Sequence, residues 1–173
     1  MEFREVLDKR FSVRKFSDRP VEEEKLRAVL EAGRICPTAV NAQPQRLYVL
    51  TGEEAFSKLG KSAKMRYGAP VVILVCADTR VSWKGGDVEP GYDSAVMDAS
   101  IATTYMMLQA TDLGLGSIWI RYMNAREIRK DFGLEEGILP VCLLPIGYIA
   151  EDCLPAPRHY QRNDFVKVVK FIK

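Results

Sequence analysis

Val71-Val72-Ile73-Leu74-Val75-Cys76-Ala77 is an unbroken apolar run, β-branched at Val71, Val72, Ile73 and Val75. A strand with one wet face would alternate polar and apolar side chains, because successive Cβ atoms point to opposite faces. This stretch does not alternate, so it predicts a central strand covered on both sides. From Asp78 to Tyr92 the composition turns to Gly, Pro and charge, which reads as a loop bordering the site.

The covering layer is readable further on. Asp93 can cap a long helix running to about Leu113, where Gly114 supplies a left-handed stop. The helix is apolar nearly all round. Ala95, Ala99, Ala102 and Thr103 are small enough for another helix to approach closely, while Met97, Ile101, Tyr105, Met106 and Leu108 supply bulk. Such a helix belongs in a core or a subunit interface. Upstream, Met1 to Lys9 has Phe3, Val6 and Leu7 at helical spacing, and Arg10 to Asp18 reads as extended. Glu22, Glu23 and Glu24 favour a helix amino end through the macrodipole; Leu26, Val29, Leu30 and Ile35 mark its buried stripe, and Pro37 stops it. Further strands are predicted at Arg46 to Thr51, Ser117 to Ile120 and Val141 to Ile146, and short helices at Glu53 to Gly60 and Ala125 to Phe132. Past Ile146 the polar end, with Pro155 and Pro157, should run extended over a surface. Alternating helices and strands argue α/β or α+β.

With 173 residues, 47% of them apolar, the chain suits one domain spanning 1–173. A net charge of +2 with the signs interspersed implies neither nucleic acid nor an anionic membrane as partner. No apolar run is long enough to span a bilayer, and Glu2, Arg4 and Glu5 do not suit a signal peptide, so the expected location is cytoplasmic. Cys36, Cys76, Cys142 and Cys153 lack the spacing of a zinc or redox pair and are expected reduced and mostly buried. His159 is the single histidine, which disfavours metal and Ser-His-Asp chemistry; no metal site is expected.

Four stretches stand out as candidates for chemistry. In Arg10-Phe11-Ser12-Val13-Arg14 an extended backbone puts Arg10, Ser12 and Arg14 on one side and Phe11 and Val13 on the other. Two guanidiniums and a hydroxyl suit a phosphate, although a solvated surface strip would read the same way. Pro37-Thr38-Ala39-Val40-Asn41-Ala42-Gln43-Pro44 lies between a helix and a strand. Its amides could meet the carbonyls and N3 of a pyrimidine ring, or cap their own turn. Gly114-Leu115-Gly116-Ser117-Ile118-Trp119-Ile120 is a helix stop and a strand whose glycines permit close backbone approach; Trp119 there suits core packing better than stacking. Gly147 ends the last buried strand, and Arg158 follows shortly after.

These stretches, in this order and over essentially the whole chain, resemble the nitroreductase family of FMN enzymes. The resemblance implies an α+β sandwich, an antiparallel-dominated sheet with helices on both faces, dimerised through the long helix. It makes cofactor contacts of Arg10, Phe11, Ser12, Arg14, Pro37, Thr38, Ala39, Asn41, Gln43, Gly116, Ser117, Ile118, Trp119, Gly147 and Arg158. Arg10, Ser12 and Arg158 fall to the phosphate, and Arg14 falls to N1 and the C2 carbonyl. The Thr38 loop serves the ring of the other subunit in a homodimer. Where many members have a second basic residue just before the last Arg, this chain has Ala156 and Pro157. The implied reaction is ping-pong transfer from NADH or NADPH through FMN to an electron-poor small molecule such as a nitroaromatic or quinone, with no catalytic side chain beyond Arg14 as electrostatic stabiliser. A flavin carrier or sensor, a dehalogenase and a flavin-breakdown enzyme share the motifs.

Overall fold

The computed structural model describes residues 1–173, with every side chain except that of Ala63. The elements in chain order are α1 (Phe3–Lys9), α2 (Glu23–Arg34), β1 (Gln45–Leu50), α3 (Gly52–Ser57), β2 (Val71–Asp78), α4 (Ala95–Asp112), β3 (Gly116–Ser117), α5 (Ala125–Asp131), β4 (Ile138–Gly147) and α6 (Phe165–Val168). Short 3-10 turns lie at Ala39–Asn41, Gly60–Arg66 and Pro157–Tyr160. The strands form one antiparallel sheet in the order β1-β2-β4-β3. The fold class is α+β.

β2 is central and buried from end to end. Its even positions, Val72, Leu74 and Cys76, enter one core with Phe56 of α3, Ile128 of α5, Val13 and Phe16. Its odd positions, Ile73, Val75 and Ala77, enter the other, with Val29 of α2 and Ala99, Met106 and Ala110 of α4. This is the physical content of an apolar run without alternation: each face has its own layer. The small residues of α4 do admit close neighbours, and α2 answers with Gly33, where a Cβ would fall 2.8 Å from Met106 Cγ. The outward side of α4 also stays apolar, with Val96, Met97 and Tyr105 exposed.

Several expectations are corrected. α4 starts at Ala95 with Ser94 as its N-cap, and Asp93, one residue earlier, accepts the Ala95 N–H at 2.9 Å. Ile35 leaves the buried stripe of α2 because the helix ends at Arg34; it is 60% exposed. In α1 only Val6 is buried, while Phe3 and Leu7 face outward. Beyond β4 the chain is not simply extended: it forms the turn at Pro157–Tyr160, made possible by Pro at a helix start, and α6. The strand expected at Ser117 to Ile120 is only Gly116–Ser117 plus one bridge between Ile120 and Leu143. Gly114 does stop α4 in the left-handed region, at φ 76°. No helix is long and apolar enough to cross a membrane.

Candidate functional site

The strip Arg10–Arg14 lies along the sheet edge. Ser12 bridges Ser117 in parallel, and the Val13 N–H donates to the Ser117 carbonyl at 3.1 Å. This pairing holds the backbone extended, so side chains alternate. Val13 is sealed in the core and Phe11 packs partly against it, while Arg10, Ser12 and Arg14 line a cavity of about 260 Å³. Arg158 and His159, carried by the turn at Pro157–Tyr160, close another side, and Arg162 completes the lining. The structure therefore brings together Arg10, Ser12, Arg14 and Arg158.

Arg162 was missed. It supplies the extra cation that Ala156 and Pro157 do not, placed after Arg158 instead of before it, and a second Arg just past a Pro-x-Pro turn was the available signal. Among the described residues none of the four guanidiniums is paired with a carboxylate. Arg14 donates to the Ser12 carbonyl at 3.3 Å, and Arg162 donates to the carbonyls of His159 and Gln161. Burial, and then repulsion by Arg162, hold the Arg10 guanidinium below its usual pKa. Four like charges around one small cavity are matched by a dianion, which would offset both penalties. By donor chemistry the cavity fits a phosphate. Arg14 lines the same cavity as Arg10, so the two are not spatially separate groups.

The segment after Gly114 has a different reason for its glycines. A Cβ on Gly116 would lie 2.6 Å from Val13 Cγ2 and 2.7 Å from Ile149 Cγ1; one on Gly147 would lie 2.7 Å from Pro70 Cδ. At both positions the space a Cβ would take is filled by the chain's own side chains, so tight packing is one reason for glycine there. Ile118 is a core residue, and Trp119 packs partly buried against the α4 side. Ser117 Oγ is buried without a hydrogen-bond partner.

The Thr38 loop is strained and held. Val40, Asn41 and Gln43 all have positive φ, at 48°, 56° and 50°, a region costly for residues with a Cβ and worst for a β-branched one. Inside the loop the Gln43 N–H donates to Thr38 Oγ1 at 3.0 Å, and Gln43 Nε2 donates to the Asn41 carbonyl at 3.3 Å. Its anchor is Asp98 of α4, fully buried, whose Oδ1 accepts the Ala39 N–H at 2.9 Å and whose Oδ2 accepts from Ser94 Oγ at 2.7 Å. Nothing in the sequence singled out Asp98, one of two acids in a largely apolar helix. Cys36, beside Pro37 and the loop, is a free and buried thiol pushed up by that burial.

This loop and the strip do not meet within one chain. The Asp78 N–H donates to the Pro44 carbonyl, so the loop sits at the Asp78 end of β2, whereas Gly116 and Ser117 pair with Gly147 and Ile146 at the Val71 end. Along β2 that separation is roughly 23 Å, at ~3.3 Å per residue. The loop after Asp78 accordingly borders the Thr38 loop and lies far from the strip.

Comparison with known proteins agrees with this architecture. Residues 7–66 and 57–148 match the nitroreductase family model. A crystal structure of a nitroreductase family protein from Clostridium difficile 630 superposes with a TM-score of 0.91 at 41% identity, over 100% of this chain and 99% of that one. A Methanothermobacter thermautotrophicus protein, provisionally named NADH dehydrogenase/NAD(P)H nitroreductase, is 33% identical over 88% of this chain and 80% of its own length. The FMN reductase (NAD(P)H) of Bacillus subtilis is 27% identical over 85% of this chain and 66% of its own length. The chain belongs to the nitroreductase family.

Proposed function

We propose that this chain is an FMN-dependent oxidoreductase, one domain over 1–173, that works as a homodimer and uses NADH or NADPH to reduce electron-poor small molecules such as nitroaromatics or quinones. The observation that carries this reading is the cavity of four guanidiniums without a carboxylate, formed on a strip held beside β3. The names of the relatives, which include NAD(P)H and FMN, support it.

In this reading Arg10, Ser12, Arg158 and Arg162 hold the phosphate. Arg14, on the same cavity, is assigned to the ring, where its charge would favour negative charge at N1 and the C2 carbonyl. Bound FMN supplies the two-electron redox chemistry, serving donor and acceptor in separate half-reactions. The chain's part is to bind, orient and exclude water. Thr38, Ala39, Asn41 and Gln43 lie too far from the strip to serve it in their own chain, and a two-fold dimer would bring the Thr38 loop of the partner subunit to it. The apolar outer side of α4, with Val96, Met97 and Tyr105, suits such an interface.

The test is the absorption spectrum of the purified protein, followed by anaerobic addition of NADH or NADPH. A flavin spectrum that bleaches rapidly with either nicotinamide is expected. Flavin reduced only by dithionite would overturn the enzymatic reading in favour of a carrier, and stoichiometric FMN on a sedimenting monomer would overturn the shared site.

A further inference from the structure

A second cleft, of about 670 Å³, opens between the 3-10 turn at Gly60–Arg66 and α5. That volume lies inside the ~300–1,000 Å³ range of small-molecule sites. Lys61, Arg121 and Arg126 line it, and among the described residues none of them pairs with a carboxylate. Lys58 on the same wall has only a long 3.9 Å contact with Glu54. Against these four cations the lining holds two carboxylates, Glu127 and Asp131, so the cleft keeps a positive excess. It also presents an aromatic face, because Tyr122 lines it and is 64% exposed. Unpaired guanidiniums beside an open ring form a combination suited to a nucleotide: bidentate donors for phosphate and a surface on which a purine stacks.

The cleft is connected to the strip by backbone. Ser117, which bridges Ser12, lies opposite Ile146, and Ile120 lies opposite Leu143, so the segment keeps one register along β4. Arg121 follows Ile120, which places it roughly 13 Å from Ser117 at ~3.3 Å per residue. That separation is within the span of an extended dinucleotide.

We propose that this cleft receives the adenosine phosphate half of the nicotinamide donor, with Arg121, Arg126 and Lys61 on its phosphates and Tyr122 under its adenine, and that its positive excess selects NADPH over NADH. This rests on the reading that the chain binds FMN and is reduced by a nicotinamide. The test is titration of the FMN-loaded protein, whose four-arginine cavity is then filled, with adenosine 2′,5′-bisphosphate and with 5′-AMP. The bisphosphate should bind about tenfold or more tighter than 5′-AMP, and the advantage should shrink as salt rises. In Arg121→Ala and Arg126→Ala the bisphosphate should weaken about tenfold or more, and in Tyr122→Ala both ligands should weaken together. Equal affinity for the two nucleotides, or unchanged binding of the bisphosphate in the Arg121→Ala/Arg126→Ala double variant, would overturn the proposal. If nucleotide binding behaves as stated while neither nicotinamide bleaches the flavin, the cleft stands as an adenosine phosphate site, and its assignment to an electron donor falls with the oxidoreductase reading. If the flavin bleaches but these titrations fail, the reverse holds.

Discussion

Arg10→Ala removes one guanidinium from a cavity where it is partly desolvated and repelled by Arg162. In the ligand-free protein nothing favourable is lost, since Arg10 has no carboxylate partner among the described residues, and one repulsion disappears. The apo form should therefore unfold at the same temperature as the parent or slightly higher. With FMN the sign reverses: a charge-assisted hydrogen bond is worth about 1.5–3 kcal/mol, which is about ten- to a hundredfold in Kd. Riboflavin has the same ring and no phosphate, so its affinity should barely move. The assay is fluorescence titration of both apo forms with FMN and riboflavin, alongside their thermal unfolding. Equal weakening of the two ligands would refute the phosphate assignment. A clear loss of apo stability would show that Arg10 is a structural residue whose burial the fold requires.

Four other outcomes follow from named contacts. Arg14→Ala should lower the flavin midpoint potential and slow reduction more than it weakens oxidised FMN; an unchanged potential would reassign Arg14 to the phosphate with its cavity neighbours. Asp98→Ala should release the Ala39 amide and weaken riboflavin and FMN alike, while Asp98→Asn, which keeps an acceptor at Oδ1, should restore most of the affinity in the same titration. Cys36→Ser should leave steady-state turnover within a few-fold, because a thiol pushed up by burial is a poor nucleophile; abolished turnover with flavin still bound would contradict this. Asp78 is held well below the usual carboxylate range, chiefly by Arg80 and also by Arg46. A folded pKa below the unfolded one means stability that is present above about pH 4 and lost as acid protonates the group. Asp78→Asn should thus destabilise in urea at pH 7 and show a flatter acid limb; parallel pH profiles would count against it.

The sheet was legible because β2 has no alternation and Gly114 and Asp93 mark the ends of α4 to within two residues. The strip was legible because alternation at Arg10, Ser12 and Arg14 survives in the structure, pinned by Ser117. What was missed depends on contacts between distant segments. Ile35 carries a helical period, yet it falls past the last turn of α2. At Gly116 and Gly147 a Cβ would meet Val13, Ile149 and Pro70, a packing reason for glycine that no local pattern announces. Arg162 and Asp98 matter through partners about 150 and 60 positions away, at Arg10 and Ala39. The left-handed residues of the Thr38 loop are not glycines, so composition offered no hint of them.

That last feature bears on how the protein can change. Each left-handed residue with a Cβ costs about 1–2 kcal/mol relative to the right-handed basin, and this loop has three within four positions. The strain is sustained by folding, through Asp98 and the end of β2, before any ligand arrives. Variants that relax it, such as Val40→Gly, would ease the native backbone but also let the loop sample many shapes, so ordering it would fall to the binding step. A relaxed backbone and a rigid loop therefore pull against each other at Val40.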